Sequence, residues 1–343
     1  ERLRALGAPG VIIFVRRGSE RWMATTGVAD TRTKRSMTGK EVWRIASVTK
    51  LITAVAVQML AAEKRLTLTD PVSKFLPRIV PLASRITIKH LLSQTSGIPD
   101  YLAGDNVPVN VSAAALARNL VRHRPRAALL ADANRQKRRF APGARHEYSN
   151  TNFLLLEMII EKVTRQSFQK LLTAELIKPI GLTRTGFPDR DGNLPTPHIR
   201  GYVPLDTRKG PFTHSSRTLD VTVHDYFSGA DGGLYSNIDD LGKMMDALWS
   251  GAIIAPMQLR AMTTDLKSDH EGMYRYGLGI VALPTRCGRK AFGHEGRDIG
   301  IFTTMLATED GSRQLIVVVN TAIDYHPQME KVLADLRDRV FCD

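Results

Sequence analysis

Strand character at both ends of the chain, around a helix-rich middle, constrains this sequence more than any other feature. Val11–Val15 and Arg21–Ala29 read as the two arms of a β-hairpin, with Arg17-Gly18-Ser19 at the turn. Toward the other end, Ala291–Phe292, Ile299–Thr308 and Gln314–Asn320 read as strands, with Glu309-Asp310-Gly311 as a second hairpin turn. Between them, Ser47–Lys64 predicts a long helix. Its residues Leu51, Ile52, Val55, Met59 and Leu60 recur at helical spacing, and Lys64 and Arg65 mark its C-terminal end. From about Leu66 to Tyr226 the chain reads as mainly helical with long loops, punctuated by residues such as Pro71, Gly97 and Pro142. Met329–Phe341 closes it as an amphipathic helix. The expected fold is therefore α/β of the α+β kind: an antiparallel sheet built from both chain ends, flanked by helices, with an all-helical subdomain inserted. Residues 1–65 and 230–343 form the expected sheet domain and 66–229 the helical one, with the active site between them.

The composition agrees. With 343 residues and 43% hydrophobic content the chain can bury a large core. No apolar run approaches the roughly 20 residues a membrane span needs. The net charge of +14 excludes little. A solvated basic surface and attraction to anionic partners both fit, whereas nucleic-acid binding does not. Apart from Arg135–Arg139, placed on an exposed helix or loop, the cations are scattered and lack interleaved aromatics. Glu1 opens no recognisable signal peptide, so export is not readable there. Cys287 and Cys342 are the sole cysteines, either two inert buried thiols or one disulfide implying an oxidising compartment.

Three short motifs carry chemistry. Ser47-Val48-Thr49-Lys50 opens the long helix. A serine there is usually only a cap. The same position also places its hydroxyl among free N–H groups able to stabilise an oxyanion. Lys50 lies one turn away on the same face, where burial would lower its pKa and let it accept the serine proton. Ser167-Phe168-Gln169-Lys170 repeats the spacing inside what reads as an ordinary helix. Tyr148-Ser149-Asn150 precedes the apolar helix Phe153–Val163, which Asn150 or Thr151 is expected to cap; Tyr148 is a candidate general base or proton relay. A second copy, Tyr235-Ser236-Asn237, reads as structural, with Ser236 and Asp239 capping the helix around Leu241. Gly293-His294-Glu295-Gly296-Arg297 lies in the late strand region, its glycines implying close approach to the backbone, as by a substrate laid along an edge strand.

In this order the motifs resemble the serine β-lactamase and D-alanyl-D-alanine peptidase superfamily, and most of all the actinomycete D-alanyl-D-alanine carboxypeptidases related to class C β-lactamases. Trp43-Arg44-Ile45-Ala46, His90–Gly97 and Tyr276-Gly277-Leu278-Gly279 extend the resemblance over nearly the whole chain. It implies a β-lactamase/transpeptidase-like fold, no cofactor and no metal. Ser47 is the implied nucleophile, with Lys50 and Tyr148 shuttling its proton. Asn150 holds the substrate amide, and the backbone N–H groups of Ser47 and Arg297 form the oxyanion hole. His294 keeps one wall of the site electropositive, and Gly296 completes the third motif. The resemblance also implies a Cys287–Cys342 disulfide and hence secretion; a biosynthetic transacylase would instead be cytoplasmic.

Two departures bear on substrate. The third motif usually has a hydroxyl residue where this chain has Glu295, and Ile280-Val281 follow Gly279 where the peptidases place an arginine. Both contacts to a substrate carboxylate look lost, and a carboxylate beside Glu295 would cost on the order of several kcal/mol. An amidase, esterase, aminopeptidase or transacylase fits this, with a small-molecule or peptide acyl donor and water or an amine as acceptor, as in antibiotic biosynthesis. A D-alanyl-D-alanine carboxypeptidase fits if Glu295 turns aside or pairs with Arg297. A β-lactamase and a non-catalytic penicillin-binding sensor complete the alternatives. The sequence gives no oligomeric state.

Overall fold

The computed structural model describes residues 1–102, 124–204, 218–223, 229–269, 272–321 and 327–343. Parts of the long span read as helical, 103–123, 205–217 and 224–228, lie outside the described residues.

The N-terminal hairpin forms as expected: β1 (Gly10–Arg17) pairs antiparallel with β2 (Glu20–Asp30). Its other edge takes the late strand β13 (Arg313–Val319), with Val11 opposite Val319 and Arg17 opposite Arg313. The sheet continues through β12 (Phe302–Ala307), β11 (Lys290–Arg297), β10 (Val281–Pro284), β9 (Arg275–Tyr276) and β8 (Lys267–Ser268). With β3 (Arg35–Ser36) outside β2, nine strands make one antiparallel sheet among the described residues. Both chain ends therefore build it. Along β13, Ile316 and Val318 belong to the larger hydrophobic core, while Leu315, Val317 and Val319 belong to the smaller one. This is the alternation of a sheet covered on both faces.

Helix α1 (Arg2–Ala5) packs beside β1. Helix α2 (Val48–Ala62) touches β11 and β12 on one side and the helical layer on the other. Twelve of its residues are buried. It is a central helix, packed on more than one side. The helical layer contains α3 (Val72–Phe75), α4 (Ile88–Leu92), α5 (Arg126–Arg135), α6 (Asn150–Thr164), α7 (Phe168–Leu172), α8 (Lys178–Ile180) and the short α9 (Gly229–Gly232). The inserted span is not all helical: β5 (Tyr202–Pro204) and β6 (Thr218–Asp220) pair within it. Helices α10 (Ile238–Trp249) and α11 (Pro256–Thr264) follow.

The closing helix α12 (Pro327–Cys342) lies on the sheet's outer face and is tied there twice. Cys287 and Cys342 are joined as a disulfide. Arg17 and Arg313, partners across β1 and β13, and Arg289, in the turn before β11, donate to the carbonyls of Arg339, Val340 and Phe341. Cations thus satisfy the orphan acceptors at the helix's negative end.

Three local expectations are corrected. Ser167 does not sit inside a helix; it caps α7, accepting from the Lys170 N–H. Helix α10 is capped by Asn237 rather than Ser236, whose hydroxyl instead meets Thr185. Neither Asn150 nor Thr151 caps α6: Ser149 holds the cap position without a side-chain bond, and Thr151 Oγ1 donates to the Pro99 carbonyl. The arginines around 135–139 are largely spent on structure: Arg135 meets Asp132, Arg139 meets Glu147, and Arg138 donates to the Ser96 carbonyl.

Candidate active site

Ser47 stands at the start of α2, after a sharp turn. Ala46 adopts φ 46°, a left-handed conformation that costs a side-chain-bearing residue roughly 1 kcal/mol or more. Ser47 itself is helical, and its hydroxyl makes no capping bond to the helix backbone. The oxygen is instead directed at two partners: Lys50 Nζ donates to Ser47 Oγ at 3.0 Å and Tyr148 Oη donates to it at 2.8 Å.

Lys50 is wholly buried. An ammonium has three hydrogens, and here it has three acceptors: Ser47 Oγ, Asn150 Oδ1 at 2.7 Å and the Asp231 carbonyl at 2.5 Å. Burial pulls its pKa from 10.5 down to about 8, against the opposing pull of the Asp231 and Asp100 carboxyls. If Lys50 gives up one proton, its remaining two N–H groups still serve Asn150 and Asp231. The lone pair then faces the serine. Tyr148 is partly buried, and loss of solvent around its hydroxyl raises its pKa well above 10, so it stays a phenol and a donor.

Asn150 is oriented by its neighbours. Its Oδ1 faces the donor Lys50 and its Nδ2 donates to Asp100 Oδ2 at 2.9 Å. One amide hydrogen therefore remains beyond that bond. Asp100 is partly buried, and desolvation raises its pKa. The Asp231 carboxylate accepts from Tyr101 Oη. Sequence reading missed Asp100, Tyr101 and Asp231. Asp100 and Tyr101 lie just past the His90–Gly97 stretch and Asp231 far from any of the three motifs, and no local pattern marks them.

On the sheet side, the β10 pairings to β11 end at Val281–Gly293, so His294–Arg297 run on past that neighbour as an edge. A Cβ on Gly296 would come within 2.1 Å of the Ile45 carbonyl, which brings this backbone against the segment that leads into Ser47. A Cβ on Gly293 would meet the Met305 carbonyl at 1.8 Å. The close approach inferred from these glycines is thus made by the protein's own backbone.

His294 corrects an expectation. It is buried and neutral, not electropositive: burial first, and the Lys50 charge second, push its pKa down to about 3. Its Nδ1 lies 2.6 Å from the Glu295 carbonyl and its Nε2 2.9 Å from Tyr276 Oη. A carbonyl only accepts, so Nδ1 carries the proton and Nε2 accepts from the tyrosine. The cation in this pocket is Lys50. Glu295 is partly exposed, and Arg297 Nη2 lies 3.9 Å from its carboxylate but 2.7 Å from Glu330 on α12. A groove of about 780 Å³ is lined by residues that include Met59, Lys243 and Trp249. Met59 is twelve residues along α2 from Ser47, about 18 Å, so that groove is remote from the chemistry.

A serine wedged between a buried lysine and a partly buried tyrosine, at the head of a central helix beside a sheet edge, defines the active-serine acyl-transfer enzymes as a class. The family model described as Beta-lactamase matches residues 1–340, and the chain belongs to that family of serine hydrolases and acyltransferases. It is similar to a D-stereospecific amidohydrolase from Streptomyces sp. (30% identity, TM-score 0.85, covering 99% of this chain and 97% of that one). The fold is shared with a D-amino acid amidase from Ochrobactrum anthropi SV3 (24% identity, TM-score 0.82, 98% and 94% covered). Protein flp of Staphylococcus aureus is 40% identical over 162 residues, 46% of this chain and 30% of that protein. The match thus spans under a third of that curated relative's length. Among the described residues no helix is long and apolar enough to cross a membrane.

Proposed function

We propose that this chain is a serine amidase of D-amino-acid-type amides that works through an acyl-Ser47 intermediate. The observation that carries this is the bonding of Ser47 Oγ to both Lys50 and Tyr148, with Lys50 the group brought near neutral pH. Neutral Lys50 takes the Ser47 proton as Oγ attacks the acyl carbon. The oxyanion is met by the Ser47 and Arg297 backbone N–H groups, and the free Asn150 N–H supports the acyl amide. Tyr148, which stays protonated, passes a proton to the leaving nitrogen as the C–N bond breaks and is refilled from Lys50. Water or an amine then takes the acyl group by the reverse path. The substrate lies along the open edge of His294–Arg297, with Gly296 letting that edge sit close to Ser47. Neutral His294 steadies the edge through Glu295 and Tyr276.

An amide rather than a free acid is supported by Glu295 in place of a hydroxyl residue, and by the similarity to a D-stereospecific amidohydrolase. One observation favours D-alanyl-D-alanine carboxypeptidase activity instead: Arg297 lies 3.9 Å from Glu295 and offsets part of its charge. The disulfide supports a place in an oxidising compartment.

Intact-protein mass spectrometry after incubation with p-nitrophenyl acetate should show one acetyl group, lost in Ser47→Ala. An unchanged adduct in that variant would remove Ser47 from the mechanism. Turnover of D-alanine amide should exceed that of a D-alanyl-D-alanine peptide, and Glu295→Thr should narrow the gap. A preference for the free acid in the native enzyme would favour the peptidase.

A further inference from the structure

Glu157 sits one layer behind the catalytic lysine, on α6, and is almost wholly buried. It does not reach Ser47 or Lys50. Its Oε2 accepts the Ala230 N–H at 2.8 Å, so it holds the short turn α9. The same turn is held from α2, where Thr53 Oγ1 donates to the Ala230 carbonyl at 2.8 Å. The next residue, Asp231, supplies the carbonyl that accepts from Lys50 Nζ. The turn approaches Glu157 closely: a Cβ on Gly229 would stand 3.1 Å from Glu157 Oε2 and 3.3 Å from Phe168. The charged groups facing Glu157 are Arg126 from α5, which donates to its Oε1 at 3.2 Å, Glu161 on its own helix and Asp231 on α9. Burial pushes its carboxyl up to about 7.

A carboxyl kept in a buried position against desolvation needs a reason, and a plain amide-binding role would be served by an uncharged side chain as well. What the geometry requires is length. An oxygen must arrive at the Ala230 N–H from α6 while the backbone of α9 presses against the carboxyl.

We infer that Glu157 is a positioning residue for Lys50: its carboxyl fixes the Ala230–Asp231 turn, and the turn aims the Asp231 carbonyl at Nζ so that the amine's lone pair faces Ser47. The inference rests on Lys50 being the base for Ser47. Reach, not charge, is the operative property. Glu157→Gln keeps an acceptor at the same distance and loses the charge. Glu157→Asp keeps the charge and falls one methylene short.

The test is single-turnover acetylation of the full chain by p-nitrophenyl acetate, resolved into the binding constant and the rate of acyl transfer, with thermal unfolding measured alongside. Glu157→Gln should acylate within about threefold of the native rate. Glu157→Asp should lose roughly tenfold to a hundredfold in rate with the binding constant unchanged, the size of effect expected when a reacting group is displaced by about 1 Å. The reverse order, Asp active and Gln impaired, would overturn positioning in favour of a charge effect. Native rates in both variants would also overturn it, leaving Glu157 a structural residue seen only in the unfolding temperature. A native protein that gives no Ser47 adduct would instead defeat the underlying reading of the site, whatever the Glu157 variants do.

Discussion

Lys50→Met should make the protein inactive and, at neutral pH, no less stable. Met has nearly the same length without the amine. Burial lowers the Lys50 pKa from 10.5 to about 8, which corresponds to on the order of 3 kcal/mol against folding while the amine is charged in both states. Removing Lys50 also strands the Asn150 and Asp231 oxygens, at about 0.5–1.5 kcal/mol for each lost bond. The two contributions nearly cancel at pH 7. Their pH dependence does not cancel. Because the folded-state pKa lies below the unfolded one, the unfolded chain holds the extra proton between about pH 8 and 10.5. Native stability relative to Lys50→Met should therefore climb by about 3 kcal/mol across that window and be flat below it. Urea unfolding of both proteins at pH 7.5 and 10.5 measures this, and the contributions of other titrating groups drop out of the comparison. The activity arm uses the same pKa. If neutral Lys50 is the base, the acylation rate should fall roughly elevenfold from its alkaline plateau at pH 7 and roughly a hundredfold at pH 6. A stability difference independent of pH, together with an acylation rate flat from pH 6 to 9, would refute the reasoning.

Further outcomes are expected at His294 and at the disulfide. Nitrogen NMR at pH 5.5 should find His294 neutral with its proton on Nδ1, since its pKa is held near 3; an imidazolium signal there would contradict the assignment. Below pH 6.5 the unfolded chain takes up the proton that the folded His294 refuses, so stability should fall with pH by up to about 1.4 kcal/mol per pH unit, and His294→Gln should lessen that fall. Cys287→Ser should lower stability by up to about 4 kcal/mol, the loop-closure value for the 55-residue separation. The Ser47 acylation rate should be unchanged at temperatures where both proteins are folded.

Much of this was legible in the sequence because it is local. The hairpin turn at Gly18 and the helix that starts at Ser47 are set by neighbouring residues, and both form where expected. Tyr148 reaches Ser47 because a helix start places it there, and the ordered motifs were enough to anticipate the pair. What failed was competition for side chains. Asn150 is a residue type that caps helices, but the buried Lys50 ammonium and the partly buried Asp100 carboxyl hold its amide instead. The resemblance implies an electropositive wall at His294, and only the enclosure around it decides otherwise. Asp231 and Glu157 act through distances of 181 and 73 residues along the chain, and no periodicity records those.

The pairing of β1 with β13 has a consequence in time. Val11 finds its partner at Val319, roughly 300 residues later. Ribosomes add about 5–20 residues per second, so roughly 15–60 s pass between the appearance of the two strands. Throughout that interval one edge of the N-terminal hairpin has no native neighbour, and the sheet that backs α2 does not exist. The first half of the chain carries both Ser47 and Tyr148, but the Asp231 carbonyl that accepts from Lys50 and the open edge of His294–Arg297 come later. The site is therefore complete only once residues beyond Arg297 are made, and until β13 arrives the open β1 edge must be kept from pairing with other chains.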